Sequence, residues 1–489
     1  AIRLNKSLAA AQGDYRALLS IFSSDHPRFD AVCFSTLMSR LGRLRKSDAA
    51  AAKRDERFGA LLAVLPAVVE RSDAQAVSNV THALAKLGLR REGGAVLAAV
   101  EARADWLVNE SDPQHVANTA WAFAKLNKDA PAVFSAIDAR ADWLVNAGET
   151  QHISNTAWAF ATLRRDAPKL FSAIDARADW LAKEGKPQEV ANTAWAFATL
   201  GRDAPNLFAA IDSRADWLAS ESTPQAISNT VWAFATLDRD APALFSAVDE
   251  RAEWLVKESA PQSISNTALA FTELGIDAPN FWACLERRGE AFAVQANRQE
   301  VCNTAWALAV GGRAGTNSGL LRVLWAEAVA AAGDGALTDD ALKQLVQVGL
   351  HAAGDGVKLQ SPPALKQEML RAASSQSNVS SSYEARVARH LTDLGVKYER
   401  EFPAFGAKFS GLLAVDFYVQ SSNRTKTAIE CDGPSHYLRG HWGEGTGREN
   451  GRTVAKRRLL ERTGWKVINV RMQRKKGGEK EWLARALNL

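Results

Sequence analysis

The sequence predicts an α-solenoid of helix-pair repeats followed by a small α/β domain, and three observations support this fold class. A block typified by ANTAWAFAKL at 117–126 recurs, and its Asn falls at 118, 155, 192, 229, 266 and 303, a constant step of 37. A second block, ARADWL, recurs with Trp at 106, 143, 180, 217 and 254. After the serine-rich stretch SSQSNVSSS, β-branched and aromatic runs replace the repeats. A period of about 20–50 residues is typical of stacked arrays whose units bury their apolar faces against neighbours.

A chain of 489 residues is long for a single core, and changes in composition divide it into five regions. We expect an N-terminal helical region with a degenerate repeat at 1–70, the α-solenoid at 71–310, a helical extension at 311–373, a serine-rich linker at 374–382 and the α/β domain at 383–489. No apolar run is long enough to predict a membrane span. The four scattered cysteines include no C-x-x-C pair, which argues against a disulfide framework or a zinc ribbon.

Each repeat is predicted to contain two helices. In the first, Val116, Ala120 and Phe123 form one apolar stripe, and Pro113 suits its first turn. The second opens at Asp-Ala-Pro, where the Asp can cap exposed amides and the Pro begins the helix. The capping positions are Asp129, Asp166, Asp203 and Asp240.

Three columns of residues on the first helix are candidates for contact with RNA. A variable position after a near-constant Gln carries His115 and His152, and it lies three residues before the Asn column on the same helix face. The Asn column consists of Asn118, Asn155, Asn192 and Asn229. Either each repeat contacts one nucleotide through these columns, or the Asn bonds backbone groups between repeats and the variable residue faces solvent. The Trp column at 121, 158, 195, 232 and 306 permits base stacking, but its strict period favours packing between repeats.

Charge is unevenly distributed along a chain of net charge +5. Residues 451–480 hold 11 Lys or Arg against 2 Glu, whereas residues 101–290 hold 17 basic against 27 acidic residues. A polyanion should therefore meet the C-terminal region first. A basic residue follows the first helix in each of four successive repeats. These residues are predicted either to contact phosphates or to be solvated turn residues beside the capping Asp. They are Lys128, Arg165, Arg202 and Arg239.

The C-terminal region predicts the element order α-β-β-β-α-β-α, typical of a compact α/β domain. Glu430 and Asp432 are two apart on one predicted strand, so their side chains share a face while Cys431 points into the core. Asp416 lies on the preceding strand. Carboxylates that converge there would suit Mg²⁺, with Asp416 and Glu430 as its ligands. The bound ion would activate water. His436 could reach that site, and Lys456 could neutralise developing charge, so the candidate catalytic residues are Asp416, Glu430, Asp432 and Lys456.

The motif AIECDGPSHY followed by GRTVAKRRLLERTGWKVINVRM resembles the RAP domain, from about Thr427 to the C-terminus, and VDFYV with the preceding helix extends the match to about Tyr383. The repeats resemble octotricopeptide arrays, and the combination resembles the FAST-kinase-like family. These resemblances imply an organellar protein, of the mitochondrial matrix or chloroplast stroma, that binds RNA and acts in its processing, stability or translation.

RAP domains are similar to PD-(D/E)xK nucleases. By position, Asp416 matches the first acid of that pattern and Glu430 the second, whereas Asp432 stands where the pattern has Lys. That departure removes the group expected to activate water unless Lys456 replaces it. Glu384, on the preceding helix, is a further candidate acid near the metal.

Three functions follow from these features. The first is an RNA-binding protein whose repeats form a scaffold and whose basic C-terminal residues contact phosphates: Arg452, Lys456, Arg457, Arg458, Arg462, Arg471, Arg474, Lys475 and Lys476, with His436 nearby. The second is a Mg²⁺-dependent endoribonuclease using Asp416, Glu430 and Asp432. The third is a scaffold on whose acidic array proteins or a ribosome dock. None of the three requires a membrane.

Overall fold

The computed structural model describes residues 2–333, 337–374, 381–409, 412–420, 425–440, 445–472 and 478–489. The chain divides into two compact units, one ending at Ile211 and the other beginning at Asp212. Across the described ranges, no helix combines the length and the apolar character needed to cross a membrane. The predicted fold class is confirmed, because helical repeats precede a small α/β domain.

The first unit consists of helices throughout its described residues. They are α1 (Ile2–Ala10), α2 (Tyr15–Asp25), α3 (Ala31–Leu41), α4 (Lys46–Ala52), α5 (Glu56–Arg71), α6 (Ala74–Leu87), α7 (Gly94–Glu101), α8 (Ala104–Glu110), α9 (Pro113–Lys125), α10 (Pro131–Ala139), α11 (Ala141–Ala147), α12 (Thr150–Thr162), α13 (Pro168–Ala176), α14 (Ala178–Glu184), α15 (Pro187–Thr199) and α16 (Pro205–Asp212), whose last residue begins the second unit. The long helices α6, α9, α12 and α15 pack side by side in that order.

The second unit continues the repeats and then forms the α/β domain. Its helices before that domain are α17 (Ala215–Glu221), α18 (Pro224–Thr236), α19 (Pro242–Glu250), α20 (Ala252–Glu258), α21 (Pro261–Glu273), α22 (Pro279–Arg287), α23 (Gly289–Gln295), α24 (Arg298–Val310), α25 (Ser318–Gly333), α26 (Asp339–Gly354) and α27 (Pro363–Ala373). Here α18, α21, α24 and α26 pack side by side.

Each full repeat contains three helices where the sequence predicts two, because the second predicted helix is broken. In the repeat that begins at α9, Arg140 separates α10 from α11 with φ −105° and ψ 23°. Its guanidinium lies 3.9 Å from the centre of the Trp143 ring and donates Nη1–H to the carbonyl oxygens of Val108 (2.6 Å) and Asn109 (3.1 Å) in the preceding repeat. The break lets an Arg satisfy carbonyls that end the previous repeat's third helix. Arg177 bonds Val145 and Asn146 in the same way.

Capping of the second helix also differs from the prediction. Ala130, not Asp129, is the N-cap of α10, and Asp129 is not its capping residue. The carboxylate that serves this purpose comes from the preceding repeat, since Asp138 accepts the backbone N–H of Leu170 at 2.9 Å and Asp175 accepts that of Leu207 at 2.9 Å. Adjacent repeats are therefore joined by polar bonds as well as by apolar packing.

The α/β domain follows the predicted order with an added hairpin. Its elements are α28 (Ser382–Asp393), β1 (Glu399–Pro403), β2 (Ala414–Gln420), β3 (Lys426–Asp432), β4 (Tyr437–Arg439), β5 (Gly445–Glu449), α29 (Gly451–Arg462), β6 (Lys466–Arg471) and α30 (Glu479–Leu487), with 3₁₀ turns at Ala407–Phe409 and Pro434–His436. The main sheet has the order β1-β2-β3-β6, antiparallel except for the parallel β3–β6 pair, and β4 pairs with β5 separately.

Helices cover both faces of that sheet. On one face Val387 and Leu391 of α28 and Leu483 of α30 pack against Ile429 and Cys431 of β3. On the other, Leu460 of α29 and Trp465 pack against Val415 and Ala428. The predicted inward direction of Cys431 is confirmed, and Glu430 is thereby placed on the α29 side.

Candidate functional site

One face of the first helix carries a Gln, an Asn and a Trp at intervals of four and three residues in the repeats that begin at α9, α12, α15 and α18. Gln188 is exposed, whereas Asn192 and Trp195 are partly buried, and Gln188 Nε2 donates to Asn192 Oδ1 at 2.9 Å. Equivalent residues share this placement: Gln114, Asn118, Trp121, Gln151, Asn155, Trp158, Gln225, Asn229 and Trp232. The Trp121 ring lies 5.0 Å from the ring of His82 in the preceding repeat, as expected for packing between repeats. Full burial holds for Trp306, whereas the rings at 121, 158, 195 and 232 are only partly buried. We call the surface that these residues form within each unit the Gln-Asn-Trp face.

The variable column does not face solvent in most repeats. It occupies the third residue of the first helix, where a side chain can fold back onto the helix start. His152 accepts the N–H of Glu149 at 3.2 Å, and Glu189 accepts the N–H of Lys186 at 3.0 Å and the hydroxyl of Thr150 at 2.7 Å. His115 is partly buried, and Ala226 and Ser263 are buried. This column therefore contributes to helix capping and packing.

The predicted phosphate row is largely paired within the array. Arg165 bonds Asp129, and Arg202 bonds Asp166, each an acid of the preceding repeat. Lys128 is partly buried. Arg239 is only 1% exposed, and its Nη1 donates to the carbonyl of Gly440 at 2.8 Å. Arg239 thus holds the α/β domain instead of facing solvent.

The candidate catalytic acids do converge in the α/β domain. Phe417 of β2 lies opposite Ile429 of β3, and this register places Asp416 beside Glu430. Asp416 Oδ2 accepts the N–H of Cys431 at 2.6 Å. Helix α29 crosses above them, and Lys456 Nζ lies 2.5 Å from Glu430 Oε2. The second oxygen of Glu430, Oε1, is buried without a hydrogen-bond partner among the described residues.

Asp432 lies beside this pair and is 1% exposed. Its Oδ2 accepts from Asn469 Nδ2 at 2.6 Å and from the Tyr437 hydroxyl at 3.3 Å. Its Oδ1 is 3.1 Å from Nδ1 of His436, which also contacts the Thr453 hydroxyl at 3.2 Å. The structure therefore brings His436 to the carboxylates, as the sequence predicts.

Burial and charge shift the pKa values of this cluster. Burial raises the pKa of Glu430 to about 7, opposed by Lys456 and reinforced by Asp416. Burial likewise raises the pKa of Asp416. The hydrogen bond to Asp432 raises the pKa of His436. Burial alone would lower the pKa of Lys456, but the carboxylates of Glu430, Asp416 and Asp432 outweigh it, and the net shift is upward.

The carboxylates of Asp416, Glu430 and Asp432 do not form a site that fits Mg²⁺. Glu430 and Asp416 each have one oxygen engaged by a protein donor, and Asp432 is held by Asn469 and Tyr437. Within the part of the chain that the structure describes, no group of three or more His, Cys, Asp or Glu side chains could hold a metal ion. Mg²⁺ takes oxygen ligands in near-octahedral geometry, whereas here the Lys456 ammonium supplies the positive charge. Glu384 instead forms a capping box with Ser381 at the start of α28.

The basic helix α29 faces the array rather than open solvent. Arg452 bonds Glu273 of α21 at 2.5 Å, Arg458 donates to the carbonyl of Val310, and Arg462 pairs with Asp355. Within the domain, Glu449 pairs with Arg457 at 2.5 Å and lies 3.8 Å from Arg471. Arg474, Lys475 and Lys476 lie outside the described residues. The predicted cationic surface is therefore largely matched by acids and carbonyls.

The hairpin strand β4 joins the array directly. The N–H of Arg439 donates to the Asp238 carbonyl at 2.7 Å, and the Arg439 carbonyl accepts the N–H of Asp240 at 2.9 Å. Arg448 of β5 adds bonds to Asp240 at 2.9 Å and to the Leu274 carbonyl at 3.2 Å. The sequence did not predict this contact. A departure from the repeat marks the neighbouring contact of α29, since Glu273, which bonds Arg452, stands where earlier repeats have Thr or Lys.

Helix α29 borders several cavities, and two of them adjoin the candidate site. The smaller, of about 150 Å³, is lined by Glu430, Asp432, His436, Lys456 and Arg457 among others. The larger, of about 410 Å³, lies between α21, α24 and α26 of the array and the α/β domain. Arg452 and Lys456 line both. The second cavity was not predicted.

Comparison with known proteins adds two family matches. Residues 429–474 match the model of the RAP domain, and residues 152–333 match that of the RNA-editing substrate-binding complex 6 protein. No curated protein matches the chain by sequence. One similar solved chain belongs to a homology model of the full-length AP-3 complex in an intermediate open conformation, with 12% identity, a TM-score of 0.35, and coverage of 80% of this chain and 69% of that one.

The two family matches agree with the architecture described above. The RAP match spans part of β3 and all of α29 and β6, so it includes Glu430, Asp432 and Lys456 but not Asp416. The other match lies within the helical array. Both fit an RNA-binding protein of this architecture. The chain therefore contains a region similar to the RAP domain after an array of helical repeats, and the α/β domain that holds this region is called the RAP domain below.

Proposed function

We propose that the protein binds single-stranded RNA in RNA processing and that the RNA lies along the Gln-Asn-Trp face. The observation that carries this proposal is the partial exposure of a Trp and two amides on successive first helices. Indole rings stack with any base, and amides can hydrogen-bond base edges. The two matched families support the same function, and one of them is described as RNA-editing substrate-binding complex 6 protein.

The path of the RNA in the second unit leads toward the RAP domain. Trp232 of α18 is followed by Leu269 of α21 on the equivalent surface, and Leu269 lines the cavity bounded by Arg452 and Lys456. The repeats would then hold bases while a few RAP cations contact phosphate. Contact through the whole basic helix is not part of this proposal, since Arg458 and Arg462 bond array residues.

Removing rings from the Gln-Asn-Trp face tests the proposal. Trp158→Ala and Trp195→Ala should each weaken binding of single-stranded RNA by roughly five- to one-hundredfold, since stacking contributes about 1–3 kcal/mol per base. Trp143→Ala is the matched control, because this Trp belongs to the ARADWL block and its ring stacks on Arg140. Fluorescence anisotropy with a labelled RNA pool measures the affinity. Equal affinity of both face variants and the native protein would overturn the proposed surface.

An organellar location and protein partners belong to the same proposal. The resemblance to organellar families supports the mitochondrial matrix or chloroplast stroma, and imaging of the tagged protein with organelle markers tests it. The exposed acids of the third helices, such as Asp142 and Asp179, offer a surface to a basic partner. Partners that survive nuclease treatment in a pull-down would support membership of a protein complex.

The metal-dependent endoribonuclease stays a prediction with its own experiment. Labelled RNA is incubated with Mg²⁺ or with a chelator, using the native protein and Glu430→Gln. Cleavage that needs both Mg²⁺ and Glu430 would establish it. Because the carboxylates do not fit the ion, we expect intact RNA under both conditions.

A further inference from the structure

The larger cavity is lined by a residue at which one repeat departs from the pattern. The position that carries Trp in four earlier repeats is Leu269 in α21, and the smaller side chain leaves space beside Trp306. In the same helix Glu273 replaces Thr236 of the preceding repeat and bonds Arg452. Leu413 and Ala455 of the RAP domain close the far side. The volume of about 410 Å³ falls within the range of small-molecule sites.

Two amides on α26 give this cavity a defined polar pattern. Gln344 Nε2 donates to Asn303 Oδ1 at 3.0 Å, and its Oε1 is buried without a hydrogen-bond partner among the described residues. Gln347 Oε1 accepts from Trp306 Nε1, which leaves Gln347 Nε2 as a donor. One acceptor and one donor therefore lie about one helical turn apart on the same helix.

The charge at the cavity edge suits a phosphate. Arg452 and Lys456 line this cavity and the smaller one beside it. The Arg452 side chain is 68% exposed although it bonds Glu273, so further donors remain available to a ligand. His351, which also lines the cavity, has a pKa lowered to about 3 by burial and by the nearby Arg458 and Arg462, so it is neutral at pH 7.

We propose that this cavity binds a single nucleotide of the RNA, with the base against Leu269 and Trp306 and the phosphate at Arg452 and Lys456. The inference rests on the proposed RNA binding and identifies one of its subsites. An adenine would donate its 6-amino group to Gln344 Oε1 and accept at a ring nitrogen from Gln347 Nε2. A buried acceptor without a hydrogen-bond partner destabilises the protein, so a ligand that donates an N–H to Gln344 Oε1 binds more tightly.

Calorimetric titration of the full chain with three probes tests the base contact. Adenosine monophosphate should bind about tenfold tighter than purine riboside monophosphate, which lacks only the amino group, because a hydrogen bond in a buried site contributes about 1–1.5 kcal/mol. Ribose 5-phosphate, which lacks the base, should bind more weakly than both. Gln344→Met should bring adenosine monophosphate to the affinity of purine riboside monophosphate.

Leu269→Trp restores the residue of the earlier repeats and should fill the cavity. This variant is expected to lose adenosine monophosphate binding while retaining its thermal transition, and Trp143→Leu, whose ring stacks on Arg140 outside the Gln-Asn-Trp face, should bind the nucleotide like the native protein. Unchanged nucleotide binding by Leu269→Trp and Gln344→Met would overturn the subsite.

Parallel RNA titrations separate the two proposals. If RNA binds but adenosine monophosphate does not, the subsite is wrong and the proposed function stands. If RNA does not bind, the proposed function fails, whatever the nucleotide result.

Discussion

Docking of the RAP domain on the array can be tested by adding one methyl group. Gly451 begins α29, directly after its N-cap Asn450. A Cβ at this position would overlap the carbonyl oxygen of Thr272 and lie 2.7 Å from the backbone N of Gly275. Both contacts are with backbone at the end of α21, so no side-chain rotation can relieve them. The helix must withdraw from the array, which would stretch the 3.2 Å bond from Arg448 to Leu274.

The size and the sign of the change in unfolding free energy both report whether α29 is docked on the array. Forcing a group into a packed interface costs about 1–3 kcal/mol. In a helix without such a neighbour, Ala is favoured over Gly by about 1 kcal/mol. Gly451→Ala should therefore lower the free energy of unfolding of the second unit by about 1–3 kcal/mol if α29 is docked, and leave it unchanged or raise it if α29 is free.

Gly433→Ala provides the matched control in the same domain. Its φ is −79°, and an added Cβ would meet nothing within 4 Å. We expect its free energy of unfolding to stay within about 0.5 kcal/mol of the native value. Urea unfolding gives the stability, and hydrogen exchange at residues 272–275 and 451–462 locates the change. A stabilised Gly451→Ala with native protection at those amides would refute the docked arrangement.

Three further outcomes follow from the same contacts. Arg140→Gln removes charged donors to Val108 and Asn109, so the first unit should lose about 2 kcal/mol in chemical denaturation. Glu273→Thr removes the partner of the exposed Arg452, so the unfolding free energy should fall by less than about 1 kcal/mol, and the loss should shrink in added salt. The pKa of Glu430 is raised from 4.5 to about 7, so its contribution to stability is present below about pH 4.5 and is lost as the pH rises through about 7. In Glu430→Gln, the urea concentration at the unfolding midpoint should therefore change less with pH across that range.

The periodic part of the fold was accessible from sequence because each repeat meets the same neighbours. A step of 37 residues fixes which residues return to the same environment, and alternation along β3 fixes the inward direction of Cys431. The break at Arg140 was not accessible. The ARADWL block fits a continuous helix, and only the carbonyls of the preceding repeat give the Arg a reason to interrupt it.

Whether a recurring residue of the first helix packs in the core or faces solvent depends on which side of that helix the adjacent helices occupy. Strict recurrence of Trp158 and its equivalents is expected for core and for a repeated binding surface alike, and only the structure shows that these rings are partly exposed. For the basic helix, composition gave the charge but not its partner. Glu273 lies 179 residues before Arg452, and no local pattern links them. The departures at Leu269 and Glu273 were visible but indistinguishable from decay of the repeat.

The placement of the RAP cations changes the expected response of RNA binding to salt. For single strands, the logarithm of the affinity falls with that of the salt concentration with a slope of about −0.7 per phosphate neutralised. If the six described arginines and lysines predicted at 452–471 all bound phosphate, the slope would be roughly −4. With Arg457, Arg458, Arg462 and Arg471 directed to Glu449, Val310 and Asp355, Arg452 and Lys456 are the two of these six residues that line both cavities. If these two alone bind phosphate, the slope should be roughly −1 to −2. Anisotropy titrations from low to moderate salt measure this slope, and Arg462→Gln should leave it unchanged. A slope near −4 would mean that RNA displaces the array acids from α29, so that the docked arrangement is not the one that binds RNA.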